Sequence, residues 1–468
     1  MKTLILQTRS VLLLLRQAIQ GTEKKFTTGG INRAIVLLSV PMVLELTMES
    51  LFVFVNIFFV SKLGAGAILI VGITQSITAV AYSVAMGLSI AASTIIARRI
   101  GEAKFESAGS TAMQAIYVGV SIGGTIALLL CIFSTQVLRA VGAADALIVQ
   151  GHVFSQLMLG SVFLLILRML LNGIFRGAGD AAMAMRNLWV SNLINIILCP
   201  VLIFGWGFIP AFGLTGVALA TVIARVIGVI YQFWYLIKGK TIIVIKKAQL
   251  AFVPEIVKSI LRLGFAGTFQ YLIPSSSWLI MTKIITHFGA DAFAGYIIAQ
   301  RVASVATMPA WGIGNAAGVL TGQNMGANQP ERAEQTVWRA GWFNMCFLSL
   351  VAIFWLFFAK DVIGIFTNVP GILQNGVMYI QYLSIAYVLL GYTMVISRAL
   401  NAAGNVKQLT MLYILMFYIT QLPLAWFLGI SLDWGTKGVF IAILTSELVL
   451  AIACIVIFRR GDWKKTKV

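Results

Sequence analysis

Charged residues are scarce in this sequence, and acidic residues are the scarcest of them. The 468 residues include 15 Asp and Glu against 34 Lys and Arg; only 10% are charged, whereas 60% are hydrophobic and the mean hydropathy is +0.95. This composition argues against a soluble globular protein and is typical of a polytopic membrane protein. The net charge of +19 comes from basic residues in connectors between apolar segments, so it indicates membrane topology rather than a nucleic-acid partner.

Cysteine and histidine are also rare. The four cysteines lie in apolar segments without close spacing, and the two histidines stand far apart, which argues against a disulfide framework, a zinc site and a membrane-embedded metalloenzyme. The sequence has no Gly-Lys-Ser/Thr phosphate loop and no Ser-His-Asp or Cys-His constellation. We therefore expect neither an enzyme nor a cofactor, and transport would have to use a gradient of H+ or Na+.

Apolar segments of helix length fill most of the chain. About 20 apolar residues cross a bilayer as a helix, so two sets of six segments are predicted as membrane spans. The first set covers 34–61, 68–97, 108–135, 146–172, 187–209 and 214–237, and the second covers 256–286, 292–320, 333–359, 375–399, 407–430 and 437–458. The predicted fold class is an all-α polytopic membrane protein with 12 transmembrane helices.

Basic residues outside the spans predict the orientation of the chain. Six lie in an amphipathic lead, residues 1–33, which has no A-x-A-like cleavage site; six lie in and beside the linker between the two sets, residues 238–255; and five lie in the tail, residues 459–468. Connectors on the opposite side hold mainly single charges, such as Lys62 and Arg139. The positive-inside rule therefore predicts cytoplasmic termini for a multi-pass protein of the inner (plasma) membrane.

The two sets of spans repeat each other. Glu106 and Glu331 correspond at a shift of 331 − 106 = 225 residues, and other matched positions follow the same shift. Because each half has an even number of spans, both halves enter the membrane in the same direction and are related by a pseudo-two-fold axis along the membrane normal. The sequence thus predicts an N-lobe over 34–237 and a C-lobe over 256–458, as in carriers that work by alternating access.

The first span carries two glutamates, Glu45 and Glu49, at a depth where ionisable groups usually face a partner or a water-filled cavity. Their i,i+4 spacing places both carboxyls on one helix face, so one is expected to hold its proton near neutral pH. Pro41 has no N–H and predicts a kink just before this face. The alternative is that each glutamate accepts a hydrogen bond from a neighbouring helix and only stabilises the lobe.

Three further charges fall inside predicted spans. Arg225 and Glu447 are repeat-equivalent, since 447 − 225 = 222 is the shift of the last matched segment, and each needs a counter-charge or water within the bilayer. Arg225 is a candidate partner for a glutamate of the first span, and Arg301 is a candidate partner for Glu447. Such pairs would act as gates or as static salt bridges.

Neutral polar and aromatic residues within the spans are candidates for ligand contacts. Amides can bind a cation or merely connect helices. Aromatic and methionine side chains can hold flat cations or merely lie at the membrane interface. The substrate-binding candidates are Asn192, Gln270, Tyr271, Trp189, Met86, Trp311 and Tyr387.

Several motifs resemble those of the multidrug and toxic compound extrusion (MATE) family. They are the first span with Pro41 and Gly64, IARRIGEAKFESA at 96–108, FRGAGD at 175–180, Asn195 before IFG at 203–205, and GQNMGANQPERA at 322–333. The resemblance recurs in both halves and spans about residues 30 to 458. It implies a twelve-helix, two-lobe antiporter that expels organic cations and other amphipathic toxins against an inward flow of protons or sodium ions.

The chain departs from the family at positions that the resemblance assigns to ion coupling. Members often place an acid late in the first span, where this chain has Asn56, and another in the fifth span, where it has Cys199. Glu45 and Glu49 are then the best-placed acids of the N-lobe. Asn56 and Asn195 complete the predicted cation-coupling set, which could serve H+ or Na+.

The sequence thus predicts a secondary active multidrug efflux antiporter for small-molecule drugs or organic cations, monomeric in the lipid bilayer. Proton binding to the glutamate pair would favour outward release of the drug and reset the carrier. A flippase for a lipid-linked precursor is the first alternative, weakly supported by Arg225 and Arg301 as basic residues inside the spans. A lipid-modifying transferase is the second.

Overall fold

A computed structural model describes residues 12–22, 25–207, 209–243 and 245–466 of the chain. Helices account for most of these residues, and twelve of them are long. They are α1 Ile31–Ser61, α2 Ala65–Gly101, α3 Phe105–Ile132, α4 Asp145–Gly177, α5 Ala181–Phe204, α6 Leu214–Ile237, α7 Pro254–Thr286, α8 Ala290–Gly326, α9 Pro330–Gly364, α10 Pro370–Ala402, α11 Val406–Ser431 and α12 Gly435–Arg460. The predicted all-α class with twelve long helices is confirmed.

Ten of these helices are long and apolar enough to cross a membrane, and α7 and α8 fall short of that composition. Lys258, Arg262 and the serines 275–277 interrupt the apolar run of α7, and Gln300 and Arg301 interrupt that of α8. We place both helices in the membrane because they correspond to α1 and α2 in the repeat.

The internal repeat is visible in the ends of the helices. Helix α2 begins at Ala65 and α8 at Ala290, and 290 − 65 = 225; α2 ends at Gly101 and α8 at Gly326, and 326 − 101 = 225. A shift found in the residue pattern therefore also relates the positions where two long helices begin and end.

The helices form two compact units, each with its own interior. Among the described residues, the N-unit contains those of 17–25 and 44–268, and the C-unit contains those of 12–16, 26–43 and 269–466. Helices α1 and α7 each contribute residues to both units. In α1 the division falls after Val43, two residues beyond Pro41, while the predicted kink and the predicted lobe bounds stay predictions.

The described part of the lead forms a short helix over residues 12–20. Leu12 and Leu13 are 63% and 52% exposed, whereas Ala18 is buried. The basic lead residues Lys2, Arg9 and Lys24 lie outside the described residues, as does Lys467 of the tail, so the predicted interfacial position of the lead stays a prediction.

The FRGAGD motif forms the turn between α4 and α5. Gly177 packs so closely on α2 that a Cβ there would lie 2.6 Å from the carbonyl oxygen of Ser93, and Gly179 has a positive φ of 82°. The Asp180 carboxylate caps α5 by accepting the Met183 N–H at 3.2 Å. Small residues in this motif therefore serve close helix contact and a tight turn.

The turn after α2 carries a local charge cluster outside the membrane span. Glu102 Oε2 accepts a hydrogen bond from Arg99 Nη1 at 3.0 Å and forms an ion pair with Lys104 Nζ at 3.0 Å. Burial raises the pKa of Glu102, but the hydrogen bonds from Lys104 and Arg99 outweigh that effect and lower its pKa below the ordinary value of 4.5. The carboxylate is thus stabilised in its charged form.

The linker and the tail are both fixed to neighbouring helices. The buried side chain of Gln114 on α3 donates to the Ala251 carbonyl at 2.8 Å and accepts the Val253 N–H at 3.2 Å. In the tail, the Trp463 indole stacks on Phe458 with ring centroids 4.7 Å apart and is 1% exposed. The described tail is therefore packed against α12 and does not extend freely.

Candidate functional site

Polar side chains of α1, α4, α5 and α6 face one another inside the N-unit. We call this set the polar interior. Its members are Glu45, Glu49, Arg168, Asn172, Arg176, Asn187, Ser191, Asn192, Asn195, Thr221, Arg225 and Gln232. Most of them are buried, with Glu49, Arg176 and Arg225 half-buried. Buried polar groups at this density need mutual hydrogen bonds or a ligand.

Glu45 is the most connected acid of the polar interior. It is 3% exposed, and its Oε1 accepts hydrogen bonds from Asn172 Nδ2 at 3.1 Å and from Arg176 Nη1 at 3.4 Å. Arg176 also donates to Ser89 Oγ on α2 at 3.2 Å. Glu45 Oε2 is buried and has no hydrogen-bond partner within the described residues. The carboxylate thus ties α1 to α4 through one oxygen and retains one unpartnered oxygen.

The helical period of α4 brings the partners of Glu45 together. Arg168, Asn172 and Arg176 follow one another at spacings of four residues and therefore share a helix face. Gln232 of α6 donates to Asn172 Oδ1 at 2.6 Å, so the Asn172 amide is oriented with its Nδ2 toward Glu45. A chain of hydrogen bonds therefore runs from α6 through α4 to α1.

The predicted pairing of Arg225 with a glutamate of the first span is not formed. Arg225 donates to Ser161 Oγ at 2.7 Å, near the middle of α4. Glu45 meets α4 at Asn172, 11 residues further along, which is about 16 Å at 1.5 Å per residue. Glu49 is half-buried, and within the described chain it has neither a hydrogen bond nor an ion pair. Arg176, not Arg225, is the counter-charge of α1.

The C-unit holds a neutral version of the same link. Gln270 is repeat-equivalent to Glu45, since 270 − 45 = 225, and Asn401 is equivalent to Arg176, since 401 − 176 = 225. Gln270 Nε2 donates to Asn401 Oδ1 at 3.0 Å, and Asn401 Nδ2 donates to Gln270 Oε1 at 2.9 Å. Both halves therefore connect their first and fourth helices at equivalent positions, but only the N-unit uses charges. Gln270 is engaged in packing and does not present a free amide to a ligand.

The amides of α5 occupy the other end of the polar interior. Asn195 is 1% exposed and donates to Thr221 Oγ1 at 3.1 Å, while its Oδ1 is buried without a partner among the described residues. Asn192 donates to the Met48 carbonyl at 3.5 Å. Asn56 is half-buried, with the Cys199 thiol 4.0 Å from its Oδ1. The Oδ1 atoms of Asn195 and Asn56 are therefore available to a proton or a hard cation. The described chain contains no cluster of three His, Cys, Asp or Glu suited to a metal ion.

Two of the predicted drug-binding aromatics already contact a cation of the chain. In the C-unit, Arg398 donates to the Tyr271 hydroxyl at 2.6 Å, and its guanidinium lies 4.9 Å from the centroid of the Trp311 ring. These two rings therefore hold the Arg398 guanidinium in place. Trp311 is half-buried, so one part of it stays open to other groups.

The remaining predicted residues are not brought together. Tyr387 is fully buried in the core of the C-unit, where its hydroxyl donates to the Ala303 carbonyl at 3.3 Å, so it offers no surface to a ligand. Arg301 is exposed and Glu447 is half-buried, and the described residues contain no ion pair between them. In the N-unit, Trp189 is 39% exposed and donates to the Leu44 carbonyl at 3.2 Å. Met86 of α2 is half-buried.

Arg176, Asn172 and Gln232 belong to the site but were not among the residues predicted from sequence. Arg176 is the second residue of the FRGAGD motif. The signal was the repeat itself, because the shift that pairs Glu45 with Gln270 also pairs Arg176 with Asn401.

Comparison with known proteins agrees with the repeat. A family model described as MatE matches residues 41–201 and 268–427, once in each half. The chain is similar to the "Probable multidrug resistance protein YpnP" of Bacillus subtilis (strain 168), with 25% identity over 94% of this chain and 98% of the relative. The "FAD transporter" of Shewanella oneidensis is 25% identical over 92% of this chain and 95% of the relative. Among solved structures, "Crystal structure of MATE in complex with MaL6" matches with a TM-score of 0.88 and 25% identity, covering 96% of this chain and all of that one.

Proposed function

Because the chain belongs to the MatE family of multidrug transporters, we propose that it is a secondary active antiporter that exports organic cations or other amphipathic toxins. The exchanged ion is a proton or a sodium ion, and the two units give alternating access. The name of the relative YpnP supports a role in drug resistance. The named FAD transporter indicates that similar chains also move larger anionic molecules.

The coupling site that we propose is the Glu45–Arg176 ion pair with Glu49 one turn away. Glu45 is buried and bonded through one oxygen only, which carries this proposal. When a proton neutralises Glu45, the attraction to Arg176 is lost and Arg176 keeps its bond to Ser89. Helix α1 is then held less tightly to α4, and this shifts the equilibrium between two conformations of the N-unit.

A sodium ion would use a different part of the polar interior. Carbonyl and carboxylate oxygens suit hard cations, and the Oδ1 atoms of Asn195 and Asn56 are available near α5. If protons couple through Glu45, its substitution should abolish coupling. If sodium ions couple through these amides, substitution of Glu45 should leave coupling intact. Both ions therefore belong to the proposal, and substitution of Glu45 distinguishes them.

The drug contacts that we propose are the accessible aromatic and sulfur-containing residues. In the N-unit these are Trp189 and Met86, and in the C-unit they are Tyr271 and the open part of Trp311. Flat apolar cations bind such surfaces through ring faces and soft contacts. We further propose a monomer in the inner (plasma) membrane with both termini in the cytoplasm, as the basic lead, linker and tail predict.

A flippase for a lipid-linked precursor is the second candidate. The observation that favours it is the presence of Arg168 and Arg225 in the polar interior, since guanidinium groups suit phosphate. Reconstitution into vesicles with a fluorescent phospholipid distinguishes the two candidates, because a flippase would move the lipid between leaflets without a pH or sodium gradient.

The proposed antiport is tested by efflux of a fluorescent cation from vesicles under an imposed pH gradient and then under a sodium gradient. We expect Glu45→Gln to abolish efflux driven by pH and Glu49→Gln to weaken it. The matched control is Glu255→Gln, which removes an exposed acid at the start of α7. Normal pH-driven efflux in the double variant of Glu45 and Glu49 would reject the proton site, and sodium-driven efflux in that variant would favour the amides.

A further inference from the structure

We infer that the polar interior contains a binding site for an oxyanion, the carboxylate or phosphate of an amphipathic organic anion, formed by the guanidinium groups of Arg168 and Arg225. The Ser161 hydroxyl holds Arg225 in place and donates its own proton to the Met158 carbonyl at 2.8 Å. The inference rests on the proposed export of amphipathic molecules and extends their class from cations to anions.

Arg168 is the main reason for this inference. It is 9% exposed, its Nε is buried without a partner, and within the described residues its guanidinium makes no hydrogen bond and no ion pair. A guanidinium remains charged at all accessible pH values, and a buried charge that lacks a bonded partner is costly. The charge of Glu45 acts on Arg168, but Glu45 is bonded to Arg176 and not to Arg168. A group of opposite charge from outside the chain is the simplest compensation.

Arg225 provides the second guanidinium. Its hydrogen bond to Ser161 Oγ at 2.7 Å directs it to the same helix, α4, that carries Arg168. Ser161 and Arg168 are seven residues, about two turns, apart on α4, so Arg225 approaches the face of α4 that carries Arg168. The mutual repulsion of the two guanidinium groups is relieved when one anion lies between them, and the planar forks of two arginines match the oxygen atoms of a carboxylate or a phosphate.

The acids of the polar interior do not neutralise this pair. Three arginines, Arg168, Arg176 and Arg225, face two glutamates, and 3 − 2 leaves one positive charge in excess. Glu45 is bonded to Arg176. Glu49 forms no ion pair within the described chain. The polar interior is therefore more favourable to an anion than to a second cation.

The test compares two dyes that share a xanthene ring system and differ in charge, anionic fluorescein and cationic tetramethylrhodamine methyl ester. Binding to the purified full chain is measured by fluorescence anisotropy. We expect Arg168→Gln to weaken fluorescein binding about tenfold or more, the loss expected for one charge-assisted hydrogen bond, and to leave rhodamine binding unchanged or tighter. Arg168→Lys should retain part of the fluorescein affinity. The control Arg139→Gln, at an exposed ion pair with Asp145, should change neither dye.

Thermal unfolding separates lost binding from lost folding. Without dye, Arg168→Gln should unfold at the same temperature as the wild type or higher, because a buried charge without a bonded partner is removed. If Arg168→Gln unfolds at a lower temperature than the wild type, a competition experiment on the wild type replaces the variant. Benzoate or phenyl phosphate should displace bound fluorescein, and benzylamine should not. The anion that displaces fluorescein at the lower concentration identifies carboxylate or phosphate as the preferred group.

Three results would overturn the inference. One is equal fluorescein affinity in the wild type and Arg168→Gln, the second is displacement by benzylamine as well as by benzoate, and the third is no fluorescein binding by the wild type. If vesicles export rhodamine but fluorescein is neither bound nor exported, the anion site is rejected and the proposed drug export stands. If neither dye is exported, the proposed function fails as well.

Discussion

Replacing the Glu45–Arg176 ion pair by the amide pair of the C-unit would separate its structural role from its proposed coupling role. The double variant Glu45→Gln with Arg176→Asn gives the N-unit the residue types that Gln270 and Asn401 have at the equivalent positions. The two amides could bond to each other as Gln270 and Asn401 do, so α1 and α4 would stay connected. Because both side chains are neutral, a proton would have no charge to neutralise there. We expect a folded protein that no longer couples efflux to a pH gradient.

The cost of the single changes follows from burial. The side chains of Glu45 and Arg176 are 4% and 12% exposed, so removal of one partner leaves a buried charge uncompensated. Such a loss costs about 3–5 kcal/mol. The distance of 3.4 Å is long for a hydrogen bond, so we expect the lower end, about 3 kcal/mol for each single variant. The double variant should lose only about 1 kcal/mol, because the two amides can satisfy each other.

The assay is equilibrium unfolding of the four proteins in mixed micelles, followed by tryptophan fluorescence. The losses in free energy of unfolding of the two single variants and the double variant define a double-mutant cycle. Its interaction energy should be about 5 kcal/mol, because the two single losses sum to about 6 kcal/mol and the double variant loses only about 1 kcal/mol. Glu255→Gln should have no effect, because this acid is exposed. If the double variant costs the sum of the two single variants, the ion pair contributes nothing through its contact and the reasoning is refuted.

Two further predictions concern parts of the fold away from the polar interior. Gly177→Ala should destabilise the chain by about 1–3 kcal/mol, because its Cβ would lie 2.6 Å from the Ser93 carbonyl oxygen; Gly124→Ala, with nothing within 4 Å of its Cβ, should be neutral or stabilising. Equal melting temperatures for the two variants would contradict this. Glu102, whose pKa is lowered by its hydrogen bonds, stabilises the fold above its ordinary pKa of 4.5, and this contribution is lost as the pH falls through the folded-state pKa. Glu102→Gln should therefore flatten the acid side of the plot of melting temperature against pH, and an unchanged slope would contradict the assignment.

Ten of the twelve long helices meet the length and hydropathy of a membrane span, so these ten were predictable from local composition. The predicted span 68–97 corresponds to α2, Ala65–Gly101, and the predicted repeat relates the ends of α2 and α8. The π-helical segments of α11, Leu415–Gln421 and Phe427–Ser431, were not predicted. A π-helical segment forms when a backbone N–H bonds to the carbonyl five residues earlier rather than four. Packing against neighbouring helices, more than local sequence, determines which of these two hydrogen bonds forms.

The candidate site was predictable in part. A glutamate at position 45 was expected to be buried because the span around it is apolar, but its partner is 131 residues away on α4. Arg225 was the partner predicted from sequence, and the partner is Arg176 because helix packing decides which arginine reaches α1. Tyr387 shows the same limit, because an aromatic residue in a membrane helix can face a cavity or a core, and residue type does not distinguish these positions.

The reciprocal amide pair of Gln270 and Asn401 gives this chain an internal reference. A pair of spectroscopic labels on α7 and α10 beside that link would report a distance that acid leaves constant, while labels at the equivalent positions of α1 and α4 would report any movement that protonation of Glu45 produces. The internal repeat thus places a neutral counterpart of the proposed proton-binding contact in the same polypeptide, where temperature, detergent and lipid act on both contacts alike.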